Sequence, residues 1–275
     1  MTGLSGRTAV VTGAGRGIGK AIALALGREG ARIALFARSR TEIDAVRDLL
    51  LAGPDAAGGA GRSASAGAAG PRAASFSCDV TDPDAVRAAC AAAAATLGPA
   101  DILVNGAGDA VAAPFSKTDL ALWERLLRVN LTSAFLMTRE LLPAMTAGGW
   151  GRIVNLASVA GLAGAAYVTA YTAAKHGLVG FTRALSQEVA KSGVTVNAVC
   201  PGYVDTPMTD RSVANIVDKT GMSEEKTRGF LASRSPQDRM MTAEEVAALV
   251  LYLVSDAARG VNGQAITLDG GGLVA

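Results

Sequence analysis

Seven short runs rich in β-branched and apolar residues recur along the chain, and most of them lack the alternation of apolar with polar positions. They read TAVVTG, ARIALFA, ASFSCDV, DILVNGAG, RIVNLAS, VTVNAVCPG and QAITLDGG. A strand without alternation is buried on both faces, and segments of helical length separate these runs, so the pattern predicts a parallel sheet covered by helices on each side. That is the doubly wound α/β architecture, here with seven strands. With 275 residues, half of them apolar, one domain over 1–275 has a sizeable core. The stretch 52–74, AGPDAAGGAGRSASAGAAGPRAA, buries too little side-chain area to offset its ordering entropy and is expected to be a flexible surface loop.

Charge excludes several functions. The chain has 26 basic and 24 acidic residues, a net charge of +2 that draws in neither nucleic acid nor an anionic membrane. Charges interrupt the apolar run IALALGREGARIALF well short of a bilayer span, and the N-terminus has no secretory pattern. Cys78, Cys90 and Cys200 are odd in number without metal-ligand spacing, so no metal site is expected and buried thiols in a reducing cytoplasm fit best.

The first strand runs into TGAGRGIGK. The generic G-x-G-x-x-G fingerprint fails because Ile18 stands where the third glycine would follow Gly13 and Gly15. Thr12, Gly13, Gly17 and Gly19 remain as T-G-x-x-x-G-x-G, with Arg16 inside the turn. Glycines there let the chain turn tightly against a pyrophosphate at a helix N-terminus. The second strand ends in FARSR, which puts Ala37, Arg38 and Ser39 where an acidic residue would accept hydrogen bonds from an NAD ribose. Arg38 and Arg16 instead suit a 2′-phosphate, so NADP is favoured and NAD stays possible.

Lys175 follows Tyr171 by four residues, which on a helix places both on one face. A cation beside a phenol lowers its pKa from about 10 towards values useful for proton transfer. Ser158 ends RIVNLAS, at the sheet edge where such folds bind ligands. His176, one residue beyond Lys175, points about 100 degrees away on a helix and is read as packing or surface. Trp123, Leu126, Leu127, Ala134, Met137 and Leu141 trace one helical stripe with Asn130 in its middle, a buried amide in need of partners.

The ordered set of the glycine turn (12–19), DV (79–80), NGAG (105–108), Asn130, Ser158, Tyr171-x-x-x-Lys175 and PG (201–202) resembles the short-chain dehydrogenase/reductase family over nearly the whole chain. The branch it resembles reduces 3-oxoacyl thioesters. The resemblance implies a Rossmann-like fold, with Tyr171 as general acid, Ser158 orienting the carbonyl, Lys175 on both the tyrosine and the nicotinamide ribose, and Asn130 in a proton relay. It also implies cofactor contacts at Asp79 and Val80 (adenine), Asn105 (adenosine side), Gly106, Ala107, Gly108, Pro201 and Gly202, with Val204 and Thr206 at the carboxamide. Gly106 departs from the family's more frequent asparagine.

Residues 203–241 carry Met208, Met222, Met240 and Met241 and are expected to form a flap over an apolar substrate. Six basic and six acidic residues between 205 and 241 leave no patch assignable to coenzyme A or a carrier protein. The expected function is NADP-dependent interconversion of a ketone and a secondary alcohol, by reduction of a 3-oxoacyl thioester or similar apolar ketone. The alternatives are a dehydrogenase of cyclic or aromatic alcohols and a non-catalytic dinucleotide-binding sensor, which would not require Ser158, Tyr171 and Lys175 together. A homo-oligomer, a tetramer by resemblance, is expected from the apolar helices 119–147 and 171–191.

Overall fold

The computed structural model describes residues 3–52 and 72–273, so most of the predicted 52–74 loop lies outside the described residues. The chain alternates β1 (Thr8–Thr12), α1 (Gly17–Arg28), β2 (Arg32–Ala37), α2 (Arg40–Ala52), β3 (Ala73–Ser77), α3 (Pro83–Leu97) and β4 (Ile102–Asn105). Then come α4 (Leu120–Leu127), α5 (Ser133–Ala147), β5 (Gly151–Leu156), α6 (Thr169–Glu188) and β6 (Val194–Pro201). The remainder is α7 (Pro207–Thr220), α8 (Glu224–Ala232), α9 (Ala243–Val254) and β7 (Ala265–Leu268).

All seven strands pair in parallel in the order β3-β2-β1-β4-β5-β6-β7. Every expected strand is present. Both sheet faces are apolar, as the unbroken runs require. Val11, Ile33, Leu35 and Val104 meet Ile22 and Leu26 of α1 and Val250 and Leu253 of α9. Val10, Phe36, Leu103 and Ile153 meet Val86 and Leu97 of α3 and Met137 and Leu141 of α5. The order reverses between β1 and β4, and the crevice above that switch point is where parallel sheets of this kind hold ligands.

The expected helix over 119–147 is divided. A π turn at Arg128–Thr132 joins α4 to α5, with the Ser133 N–H reaching the Arg128 carbonyl. Asn130 sits buried inside it, while Leu126, Ala134 and Met137 line the core as the stripe predicts. Residues 203–241 form α7, α8 and connecting turns rather than one continuous element.

Candidate active site

One cleft of about 1050 Å³ opens above the switch point. Its lining includes Gly13, Gly15, Arg16, Gly17, Ile18 and Gly19 after β1, Arg38 and Ser39 after β2, and Asp79 and Val80 after β3. Gly106, Ala107 and Gly108 follow β4, and Asn130, Tyr171, Lys175 and Thr206 also line it. Residues from the whole length of the chain meet there because successive strands end on the same side of the sheet.

The glycine turn needs its glycines. Gly13 and Gly17 have φ of +67° and +52°, in the left-handed region, and a Cβ on Gly13 would stand 2.9 Å from the Gly106 carbonyl oxygen. A Cβ on Gly19 would collide with the Gly13 carbonyl. The N-terminus of α1 has no side-chain cap and no acidic residue in its first turn, so its backbone N–H groups and dipole face the cleft uncompensated. That is the setting a pyrophosphate requires. At the adenosine end, Asp79 accepts hydrogen bonds from the Thr81 N–H (2.9 Å) and hydroxyl (2.7 Å), which hold its carboxyl below the usual range, with Arg38 nearby adding to the effect. Arg16 reaches Glu42 at 3.3 Å.

At the catalytic end α6 carries Tyr171 and Lys175 one turn apart, with the lysine Nζ 5.6 Å from the phenol ring centre. Lys175 is buried and donates to the Leu156 carbonyl at 2.6 Å. Ser158 caps the short turn Val159–Gly161, its Oγ accepting from the Ala160 N–H at 3.1 Å, which leaves its own proton to donate. Gly108 keeps this corner open: a Cβ there would stand 2.8 Å from Asn130 Oδ1 and 3.7 Å from Lys175 Nζ.

The sequence expects the lysine to lower the tyrosine pKa; in the cofactor-free protein burial acts on the phenol in the opposite direction. Desolvation dominates both groups. It pushes Tyr171 up to about 12, opposed by a hydrogen bond with Ser158, and brings Lys175 down to about 8. Tyr171 is therefore protonated at neutral pH, as an acid must be. Lys175 remains mostly charged at pH 7.

Five further expectations need adjustment. Asn105 does not reach the cleft: its side chain is buried and donates to Asn155 Oδ1 (2.8 Å), whose own amide donates to Thr182 (2.8 Å). Thr12 sits beneath the lining and accepts from the Gly106 and Ala107 N–H groups at 2.9 and 3.0 Å, fixing the loop after β4. Pro201 ends β6, and Gly202 donates to the Leu268 carbonyl at 3.0 Å, framing the site from below. The Val204 side chain belongs to the core, while its backbone pairs with Met241 and its carbonyl accepts from the Thr206 and Thr209 hydroxyls. The Asn130 amide is already engaged: Nδ2 donates to the Asp109 and Leu126 carbonyls (2.8 and 3.0 Å), and Oδ1 accepts from the Asp109 N–H (3.2 Å). These bonds use one lone pair of Oδ1 and leave the second open where Asn130 lines the cleft. His176 is exposed, its Nδ1 3.0 Å from the Thr172 carbonyl, as expected of a surface residue.

The sequence reading missed Asp109, Arg125 and Arg211, which also line the cleft. Asp109 pairs with both arginines, from positions 16 and 102 residues away. No local spacing signals such a group.

The comparisons with known proteins agree with this geometry. The family model described as short chain dehydrogenase matches residues 7–216. A granaticin polyketide synthase putative ketoacyl reductase 1 of Streptomyces violaceoruber is 42% identical over 266 residues, covering 96% of this chain and 92% of that protein. A D-beta-hydroxybutyrate dehydrogenase of Rhizobium meliloti is 37% identical, covering 96% and 98%. The crystal structure of a variant actinorhodin polyketide ketoreductase with NADPH superposes with a TM-score of 0.87 at 37% identity, covering 96% of each chain. A glycine cradle at a bare helix N-terminus suits the nicotinamide dinucleotides that such proteins bind. The chain belongs to the short-chain dehydrogenase family and is an oxidoreductase acting on CH–OH groups.

Proposed function

We propose that this enzyme reduces a 3-oxoacyl thioester, or a similarly apolar ketone, to the secondary alcohol and prefers NADPH. The observation that carries the reading is the meeting of Tyr171, Lys175 and the cleft over the β1–β4 switch point, with Ser158 adjoining them at the end of β5. NADPH, when bound, supplies the hydride. The turn at 13–19 would hold its pyrophosphate, Arg38 and Ser39 its 2′-phosphate, Asp79 and Val80 its adenine, and Lys175 and Thr206 its nicotinamide end. Arg16 contributes to the 2′-phosphate while its partner Glu42 limits that contribution.

Ser158 donates its hydroxyl proton to the substrate oxygen and holds the carbonyl in place. Tyr171 passes its phenolic proton to the same oxygen as the carbonyl carbon is reduced. The Lys175 ammonium stabilises the phenolate this leaves, in surroundings whose low polarity strengthens the attraction. The partly buried Val159, Leu162, Ala163 and Val168 offer apolar surface with few hydrogen-bond partners. An acyl chain gains about 0.8 kcal/mol per methylene there, whereas each stranded hydroxyl of a sugar costs roughly 1–3 kcal/mol. The names of the ketoacyl reductase relatives support the same substrate class.

Helices α7 and α8 are the proposed substrate flap. Met208 lines the cleft, whereas Met241 is a core residue. The cytoplasm is the proposed location, on three buried free cysteines, and among the described residues no helix is long and apolar enough to cross a membrane. The test compares catalytic efficiency with NADPH and NADH, for the wild type and Arg38→Ala, over acetoacetyl and longer 3-oxoacyl thioesters, cyclic ketones and ketoses. NADPH preference that falls at least about tenfold in the variant is expected, since a charge-assisted pair is lost. NADH preference overturns the cofactor reading. A preference for ketoses overturns the substrate reading, and one for cyclic ketones replaces thioesters with the alternative alcohols.

A further inference from the structure

Helix α7 has little to hold it. Of its fourteen residues only Thr209 and Val213 are buried, and it packs mainly on α8, itself largely exposed. Yet its first turn stands close to the glycine turn, where a Cβ on Gly17 would lie 3.4 Å from the Thr206 side chain. Thr206, Pro207, Met208 and Arg211 line the same cleft as Asp109 and Arg125. A lightly packed element with few buried contacts opens easily, so ties to the opposite wall decide how long it stays shut.

Asp109 supplies the principal tie. Its Oδ1 lies 3.5 Å from Arg211 of α7, and its Oδ2 accepts from Arg125 of α4 at 2.8 Å. Its main chain meanwhile exchanges hydrogen bonds with the amide of Asn130 in the π turn. Lys219, near the end of α7, makes a second reach to the same loop, 3.4 Å from the Ala112 carbonyl. We propose that Asp109 is a positioning residue that clasps α7 across the cleft and ties that roof to the π turn behind Lys175, so that it governs how long the bound dinucleotide is retained. The inference rests on the cleft holding a nicotinamide dinucleotide and not on which one. Asp109 and its two partners are all partly exposed, so each bridge is individually weak and the effect is moderate.

The experiment measures dissociation of the reduced dinucleotide by stopped-flow fluorescence, using NADPH or NADH, whichever the wild type binds more tightly. Amide hydrogen exchange across 207–220 is followed in the cofactor-free protein. Asp109→Asn keeps the main-chain bonds to Asn130 and removes the clasp. Expected are a dissociation rate about three- to fivefold faster, faster exchange along α7, and no further change when Arg211→Ala is added. Arg211→Ala alone should match it, and Arg211→Lys should restore most of the retention. The sign discriminates: if Arg211 instead grips the anionic dinucleotide directly, Asp109→Asn removes a competing negative charge and slows dissociation, which overturns the proposal. Unchanged dissociation and exchange overturn it too. Failure of the wild type to bind either dinucleotide would instead defeat the cofactor reading itself.

Discussion

Lys175 is buried in a wall that offers its ammonium one carbonyl, and that scarcity sets two pH dependences. The lysine keeps its proton less tightly in the folded protein, at about 8, than in the unfolded chain, where the ordinary value is 10.5. Below pH 8 both states are charged and the burial penalty is fully present. As pH rises from about 8 the folded state sheds the proton first, so stability increases by at most about 1.4 kcal/mol per pH unit. Above about 9 the slope reverses, because the buried Cys78, Cys90 and Cys200 thiols keep their protons to about 11, 12 and 11 when folded while unfolded thiols lose theirs near 9, and Tyr171, raised to about 12, adds to the fall above about 10. Denaturant titration of the cofactor-free protein from pH 7 to 9 should show the rise, and Lys175→Met should flatten it. Carbonyl reduction should decline above about pH 8 as the charge that stabilises the Tyr171 phenolate is lost, visible in kcat/KM for the dinucleotide, which follows the groups of the free enzyme. Tyr171→Phe should lower kcat by about 10²–10⁴-fold, the usual value of a positioned acid, with dinucleotide binding nearly intact. Tyr167→Phe should do far less: Tyr167 is 65% exposed, although its φ of +68° is a backbone conformation few bulky residues adopt.

At the scale of elements, legibility followed locality. Strands announced themselves because most carry their own unbroken apolar run, and the glycine turn and the Tyr-Lys pair because their spacing lies within one turn. What escaped the sequence depends on distant partners. Met241 looks like its neighbour Met240, and only the bridge to Val204 makes it core. Asn105 sits between a strand and a glycine loop, and its turn inward towards Asn155 is set by a strand fifty residues on. The π turn left no mark in the apolar stripe. Helix α9 shows the opposite case: Thr242 and Glu245 form a reciprocal capping box directly readable as T-x-x-E. The helix beyond it buries Val246, Val250, Leu253 and Val254 against α1 and the sheet. Thr242→Ala should therefore destabilise by about 1 kcal/mol without altering kcat, as thermal and kinetic assays would show.

For the whole molecule, the helices that cover one sheet still leave apolar groups outside. Phe135 on α5 is 44% exposed beneath the Arg139 guanidinium, and Tyr252 on α9 is 47% exposed. We propose a homotetramer on these faces, and light scattering at micromolar concentration should give a mass near four times 27.6 kDa, with a single-chain mass refuting it. The strand order has a consequence of another kind, for the growing chain. β1 is made first yet lies in the middle of the sheet, with β2 and β3 on one flank and its other edge pairing β4, whose first residue is Ile102. Until that segment leaves the ribosome, β1 presents an open row of N–H and C=O groups beside a bare apolar face, and the cover that α9 gives that face comes only after residue 243. Early synthesis is thus the interval in which this chain most needs a chaperone, and truncations ending before β4 should accumulate as aggregates.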